Sequence, residues 1–124
     1  MIFAFVEDGT LEICEDEAEV RRQYEGIDVE SEVVHFYDEM GVYLEPRFTT
    51  PNQTRKLFGV FGVVVSGTYE LVPNSSAQQD SFALALYETR TLAPNRWFAT
   101  IEDLKSVLSK QGVTVDFSHV EPKL

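Results

Sequence analysis

The stretch LFGVFGVVVSGTYELV, from Leu57 to Val72, decides the fold, because the other segments must pack around it. It carries no charge until Glu70. Val60, Val63, Val64 and Val65 lose side-chain freedom in a helix but fit a pleated surface. Gly59, Gly62 and Gly67 would each weaken a helix interior by about 1 kcal/mol relative to Ala. From Val63 onward the pattern alternates, with Val63, Val65, Gly67, Tyr69 and Leu71 on one side and Val64, Ser66, Thr68 and Glu70 on the other. The stretch therefore predicts the long central strand or strands of a sheet, bent at a glycine. A membrane span needs about 20 apolar residues, so a membrane-crossing role is not expected.

Outward toward the amino terminus, Ile2 to Val6 and Leu11 to Cys14 read as strands joined by Glu7-Asp8-Gly9, a hairpin signal. A helix is predicted over Glu17 to Glu25, capped by Asp16 with Glu19 reaching back, and ended by Gly26. Asp28, Glu30 and Glu32 alternate with Val29, Ser31 and Val33, which reads as an extended edge or a loop. Val33 to Tyr37 reads as a strand, Asp38 to Gly41 as a turn, and Val42 to Phe48 as the returning strand. Pro46 assigns the end of that strand to an edge or bulge. Thr49 to Lys56 reads as a loop.

Outward toward the carboxyl terminus, Pro73 to Asp80 is a polar connection. Ser81 to Arg90 reads either way, but the alternation of Phe82, Leu84 and Leu86, carried into solvent by Glu88 and Arg90, favours a strand. Arg96 to Ala99, with the single tryptophan Trp97, is a short strand or lead-in. A second helix is predicted over Ile101 to Gln111, capped by Thr100 and stopped by Gly112. Val113 to Phe117 is the last strand expected. The sum is an α+β fold, a mainly antiparallel sheet of about six strands with two helices packed on one face. No repeat or linker divides the 124 residues, so a single globular domain, 1–124, is expected.

The formal charge of −11 is unevenly distributed. Residues 1–45 hold 14 of the 21 acids and only Arg21 and Arg22 as bases, 2 − 14 = −12, whereas residues 46–124 hold 7 acids and 8 bases, +1. That asymmetry disfavours nucleic acid, whose phosphates require Lys and Arg. It favours a basic protein partner or a bound cation, against solubility alone as the bland alternative. Helix capping accounts for Asp16 and its neighbours but not for Asp28, Glu30, Glu32, Asp38 and Glu39. These five are the expected partner-binding acids, with Tyr37 or Tyr43 as the aromatic anchor that an interface centre needs.

Other chemistry is weakly signalled. His35 and His119 share no local spacing, so no metal site is expected. Cys14, the single cysteine, reads as a buried thiol rather than a nucleophile, and one cysteine with no leader fits a reducing cytoplasm. The glycines lack a phosphate-loop ending, and no cofactor is expected. Enzyme activity is less expected than binding. The opening hairpin, the acidic helix, Ile27-Asp28-Val29 and then FYDEMGVYLEP (Phe36 to Pro46) resemble small bacterial immunity-type proteins over about the first 50 residues. That resemblance implies a cytoplasmic α+β protein that neutralises a cognate toxin and catalyses nothing, and the charge division points to a nuclease or another toxin with a cationic active site. The alternative is a small enzyme or ligand-binding domain with a pocket beside the sheet, containing His35 or Cys14.

Overall fold

The structure is a computed structural model that describes residues 1–57, 61–74 and 80–113, the side chains of 53–57, 61–65, 80 and 81 excepted. The order along the chain is β1 (Ile2–Val6), β2 (Thr10–Cys14), α1 (Glu17–Gln23), α2 (Gly26–Glu30), β3 (Val34–Asp38), β4 (Tyr43–Phe48), β5 (Gln53–Leu57), β6 (Phe61–Val65), β7 (Tyr69–Asn74), α3 (Asp80–Glu88), β8 (Thr91–Leu92) and α4 (Ile101–Lys110). Six strands form one sheet in the order β7-β4-β3-β1-β2-β8, and β5 and β6 form a separate antiparallel ribbon. The fold class is α+β, as expected.

The centre of the sheet is β1, IFAFV, and not the Val-rich stretch. β1 pairs with β2 on one side and β3 on the other, both antiparallel. Its side chains serve both faces. Phe3 and Phe5 enter one core with Leu11, Ile13, Tyr37, Phe82, Leu86, Leu104 and Leu108. Ala4 enters the other with Cys14, Val20, Tyr24, Val29, Val34, Phe36, Leu44 and Tyr69. A strand covered on both faces reads as a continuous apolar run, which is what Ile2–Val6 is.

Three expectations are corrected here. The helices do not share one face: α3 and α4 contribute Phe82, Leu86, Leu104 and Leu108 to the first core, while α1 and α2 contribute Val20 and Val29 to the second. The sheet has the six strands expected and is mainly antiparallel, but the two-residue β8 runs parallel to β2 and makes it mixed. Ser81 to Arg90 is no strand. Phe82 and Leu86 lie four apart, one helical turn, and both are buried, so the alternation was one reading of a pattern that 3.6-residue periodicity also satisfies.

The Leu57–Val72 stretch is divided rather than central. Among the described residues Phe61–Val65 pairs only with β5, and Tyr69 begins β7, which pairs only with β4. The neck between them explains the break. A Cβ on Gly67 would lie 2.1 Å from the Thr50 carbonyl oxygen, so the chain crosses its own return path at a point that only glycine fits. Thr68 and Thr49 exchange bonds across the neck, Thr49 N to Thr68 O at 2.8 Å and hydroxyl to hydroxyl at 2.6 Å. Gln53–Leu57, expected as loop, is the ribbon's first strand. The orientations expected of Val63 and Val65 lie outside the described side chains, as does the strand expected from Val113 beyond that first residue. Alternation does hold in β7, where Tyr69 is buried and Glu70 exposed.

The first helix ends at Gln23 rather than Glu25, and Gly26, expected to stop it, begins α2; other local readings hold. Asp16 accepts from Glu19 N at 2.9 Å at the start of α1, and Thr100 accepts from Asp103 N at 3.1 Å at the start of α4. Glu19 reaches back, though to Glu15 N at 3.0 Å rather than to the cap residue. Pro46 pairs with Leu71 of β7 but lies past the Phe36–Leu44 and Tyr37–Tyr43 pairs that bind β4 to β3, so it occupies an edge as predicted. Among the described residues no helix is long and apolar enough to cross a membrane.

Candidate functional site

The strand register sorts the acids into two ends of the sheet. Ile2 pairs with both Cys14 and Asp38, and Val6 pairs with Val34. Glu15, Asp38 and Glu39 therefore lie at one end, with Met1. Glu7 and Asp8 lie at the other, beside the α2–β3 connection, which Glu7 N joins through a 2.8 Å bond to Val33 O. From Val34 to Asp38 is about 13 Å at roughly 3.3 Å per residue.

At the Asp38 end the charges have local employment. The Asp38 carboxylate accepts from Met40 N and Val42 N, each at 2.9 Å, and closes the β3–β4 turn. Glu39 lies 4.0 Å from the amino terminus. Glu15 pairs with Arg96 at 2.6 Å, whose guanidinium sits 4.7 Å from the centre of the Trp97 ring. The cleft there, about 470 Å³, is bordered by Glu12, Glu19 and Trp97 and holds Arg96 as its cation.

The other end differs. Glu7, Asp8, Glu25, Asp28, Glu30, Glu32 and Glu88 form no ion pair among the described residues. Some still hold backbone: Asp8 accepts from Thr10 N at 2.9 Å, and Asp28 from Glu25 N at 3.4 Å. Here the sequence reading is corrected, since Asp28 and Glu30 belong to the short helix α2 rather than to an extended edge. Asp28 therefore has a helix-terminal role after all. Glu30 accepts from the Asn52 amide, which also bonds Gly26 O at 3.1 Å, while its oxygen accepts from Gly67 N at 2.6 Å. Asn52 so ties α2 to the neck of the ribbon. Glu32 stands exposed at φ +59°.

The two expected anchors differ in exposure. Tyr37 is 6 % exposed and belongs to the first core. Tyr43 is half-buried against it, ring centres 5.5 Å apart. The exposed aromatic at the unpaired end is Tyr87, 45 % accessible, in a shallow depression with Glu7, Asp8, Glu88 and Arg90. Sequence reasoning missed Tyr87 because a strand over Ser81–Arg90 leaves its place relative to the β1–β2 turn undetermined.

A groove of about 290 Å³ opens beside this depression, between α3 and the ends of β1 and β3. Phe5 and Tyr37 are its buried residues, Leu84 and Ala85 are half-buried, and Glu7, His35 and Glu88 are exposed at its margin. His35 thus does border a pocket beside the sheet. Cys14 does not: it is buried, and burial first, then the charges of Glu19, Glu12 and Asp16, push its thiol up to about 12. A thiol so held is no nucleophile at neutral pH. No group of three His, Cys, Asp or Glu among the described residues could hold a metal ion. Comparison with family models, curated proteins and solved structures finds no match for the chain.

Proposed function

We propose that the chain is a binding protein that docks a basic protein partner on its Glu7–Asp8 end, in the manner of an immunity protein neutralising a toxin in the cytoplasm. The observation that carries this reading is the set of carboxylates at this end that form no ion pair among the described residues: Glu7, Asp8 and Glu88, in one depression with Arg90 and the exposed ring of Tyr87, and Asp28, Glu30 and Glu32, on and just after α2 across the sheet. Unpaired charge of one sign speeds association with an oppositely charged surface. An exposed tyrosine within it supplies the apolar anchor that charge alone lacks. Asp38 and Glu39 stand apart from this surface, because one closes a turn and the other neighbours the amino terminus.

The groove beside His35 favours a second reading, a ligand-binding domain with a pocket beside the sheet. Its lining weighs against a substrate-orienting site. The His35 ring forms no hydrogen bond or ion pair among the described residues, whereas a catalytic imidazole is normally oriented by a neighbour.

The test is kinetic. The partner recovered by affinity capture from the source cell is mixed with wild type and with a variant carrying Glu7, Asp8, Glu30 and Glu32 as amides. Association at low salt should slow by about 10-fold or more, the gap closing as salt rises. Equal rates at every salt concentration would return these acids to a solubility role.

A further inference from the structure

We propose that the groove between α3 and the ends of β1 and β3 receives one lysine or arginine side chain of the basic partner, an inference that rests on the docking reading above. Its depth is graded. The buried rings of Phe5 and Tyr37, in edge contact at 5.5 Å, form the floor, Leu84 and Ala85 the wall, and the carboxylates of Glu7 and Glu88 the margin. That order, apolar below and anionic above, matches a side chain with a methylene stem and a cationic head. At about 290 Å³ the groove lies at the lower limit of ligand pockets, about 300–1,000 Å³, which suits one side chain or a fragment.

Other occupants fit less well. No Lys or Arg lines the groove itself, Arg90 lying in the adjoining depression with Glu7 and Glu88, so an anion in the groove would meet two carboxylates. A neutral apolar group would desolvate that margin without a partner for either charge. Tyr87 and Asp8, in the adjoining depression, extend the same surface, so that a residue beside the inserted one meets the exposed ring.

The probe is n-butylguanidinium, added to the isotopically labelled full chain and followed by NMR, with guanidinium and n-butanol as controls. Saturable shifts are expected at the Ala85 methyl and at the Phe5 and His35 rings. Each control should bind at least about tenfold more weakly, since one lacks the buried stem and the other the charge. Glu7→Gln with Glu88→Gln should weaken the probe by about threefold to tenfold, and Ala85→Trp should abolish its shifts. Selectivity measured on wild type decides the matter even where Ala85→Trp fails to fold. A groove that takes guanidinium or butanol as well as the amphipathic probe, or shifts confined to other surfaces, overturns the inference. Deca-lysine titrated in parallel separates the two readings. Binding weakened by amides at Asp28, Glu30 and Glu32, with a groove indifferent to butylguanidinium, removes the groove alone. Binding indifferent to every carboxylate change removes the docking surface as well.

Discussion

The two ends of the sheet carry acids of the same kind and differ in what those acids touch. At the Asp38 end, the carboxylates close a turn, face the amino terminus or pair with Arg96. At the Glu7 end, among the described residues, they have hydrogen bonds at most and no ion pair, although Arg90 shares the depression of Glu7, Asp8 and Glu88. Net charge by sequence segment therefore overstates one end and understates the other. What makes an acidic residue available to a partner is the absence of a local use, and register decides that.

The largest effect expected from breaking this comparison is structural. Gly67→Ala places a methyl against the Thr50 carbonyl, and backbone cannot yield as a flexible side chain does. The urea midpoint should fall by the equivalent of about 1–3 kcal/mol. An unchanged midpoint would mean that the neck does not fix α2 and the ribbon together.

Next in size is the pair of charge variants. Amides at Glu7, Asp8, Glu30 and Glu32 should slow association with the partner by about 10-fold or more at low salt. Amides at Glu15 and Glu39 should leave it within about twofold, because those charges are already compensated. Equal losses from both sets would erase the distinction between the ends.

A smaller effect follows from Asp38→Ala. Two turn bonds at 2.9 Å are lost, and thermal unfolding should report about 1 kcal/mol of destabilisation, with the association rate untouched. A slowed rate would bring the Asp38 end back into the interface.

Least visible at neutral pH is the buried titration. Burial raises Cys14 from 9.0 to about 12 and Tyr69 from 10.0 to about 12, and raises Tyr24 further. Folded protein thus holds these protons longer than unfolded chain. Their contribution is complete below about pH 9 and is lost as pH rises from there toward 12, at no more than about 1.4 kcal/mol per pH unit for each group. Thiol labelling at pH 8 should be slow until denaturant is added, and tyrosinate absorbance of Tyr24 and Tyr69 should emerge only with unfolding. Fast labelling of the native protein would contradict the burial of Cys14.

Much of the local structure was written in the chain. The β1–β2 hairpin, the Asp16 and Thr100 caps and the edge position of Pro46 follow from turn chemistry, orphan amides and a missing donor, each settled within a few residues. The charge asymmetry was equally legible. Long-range placement was not. Ile2–Val6 and Phe61–Val65 are both short apolar runs, and no local rule says which will be flanked by two strands and which will pair in a separate ribbon. Phe82 and Leu86 satisfy period two as well as one helical turn, and only the apolar face of the sheet that α3 covers selects the helix. Tyr37 and Tyr43 were the anchors read from the chain, and only tertiary packing shows that Tyr37 is buried while Tyr87, not considered, is exposed. Sequence alone determined the charge, the caps and the turns, because those depend on neighbours along the chain. Tertiary structure decided which acids form ion pairs among the described residues and that Tyr87 shares a depression with Glu7, Asp8, Glu88 and Arg90, because that depends on what the fold brings across the sheet.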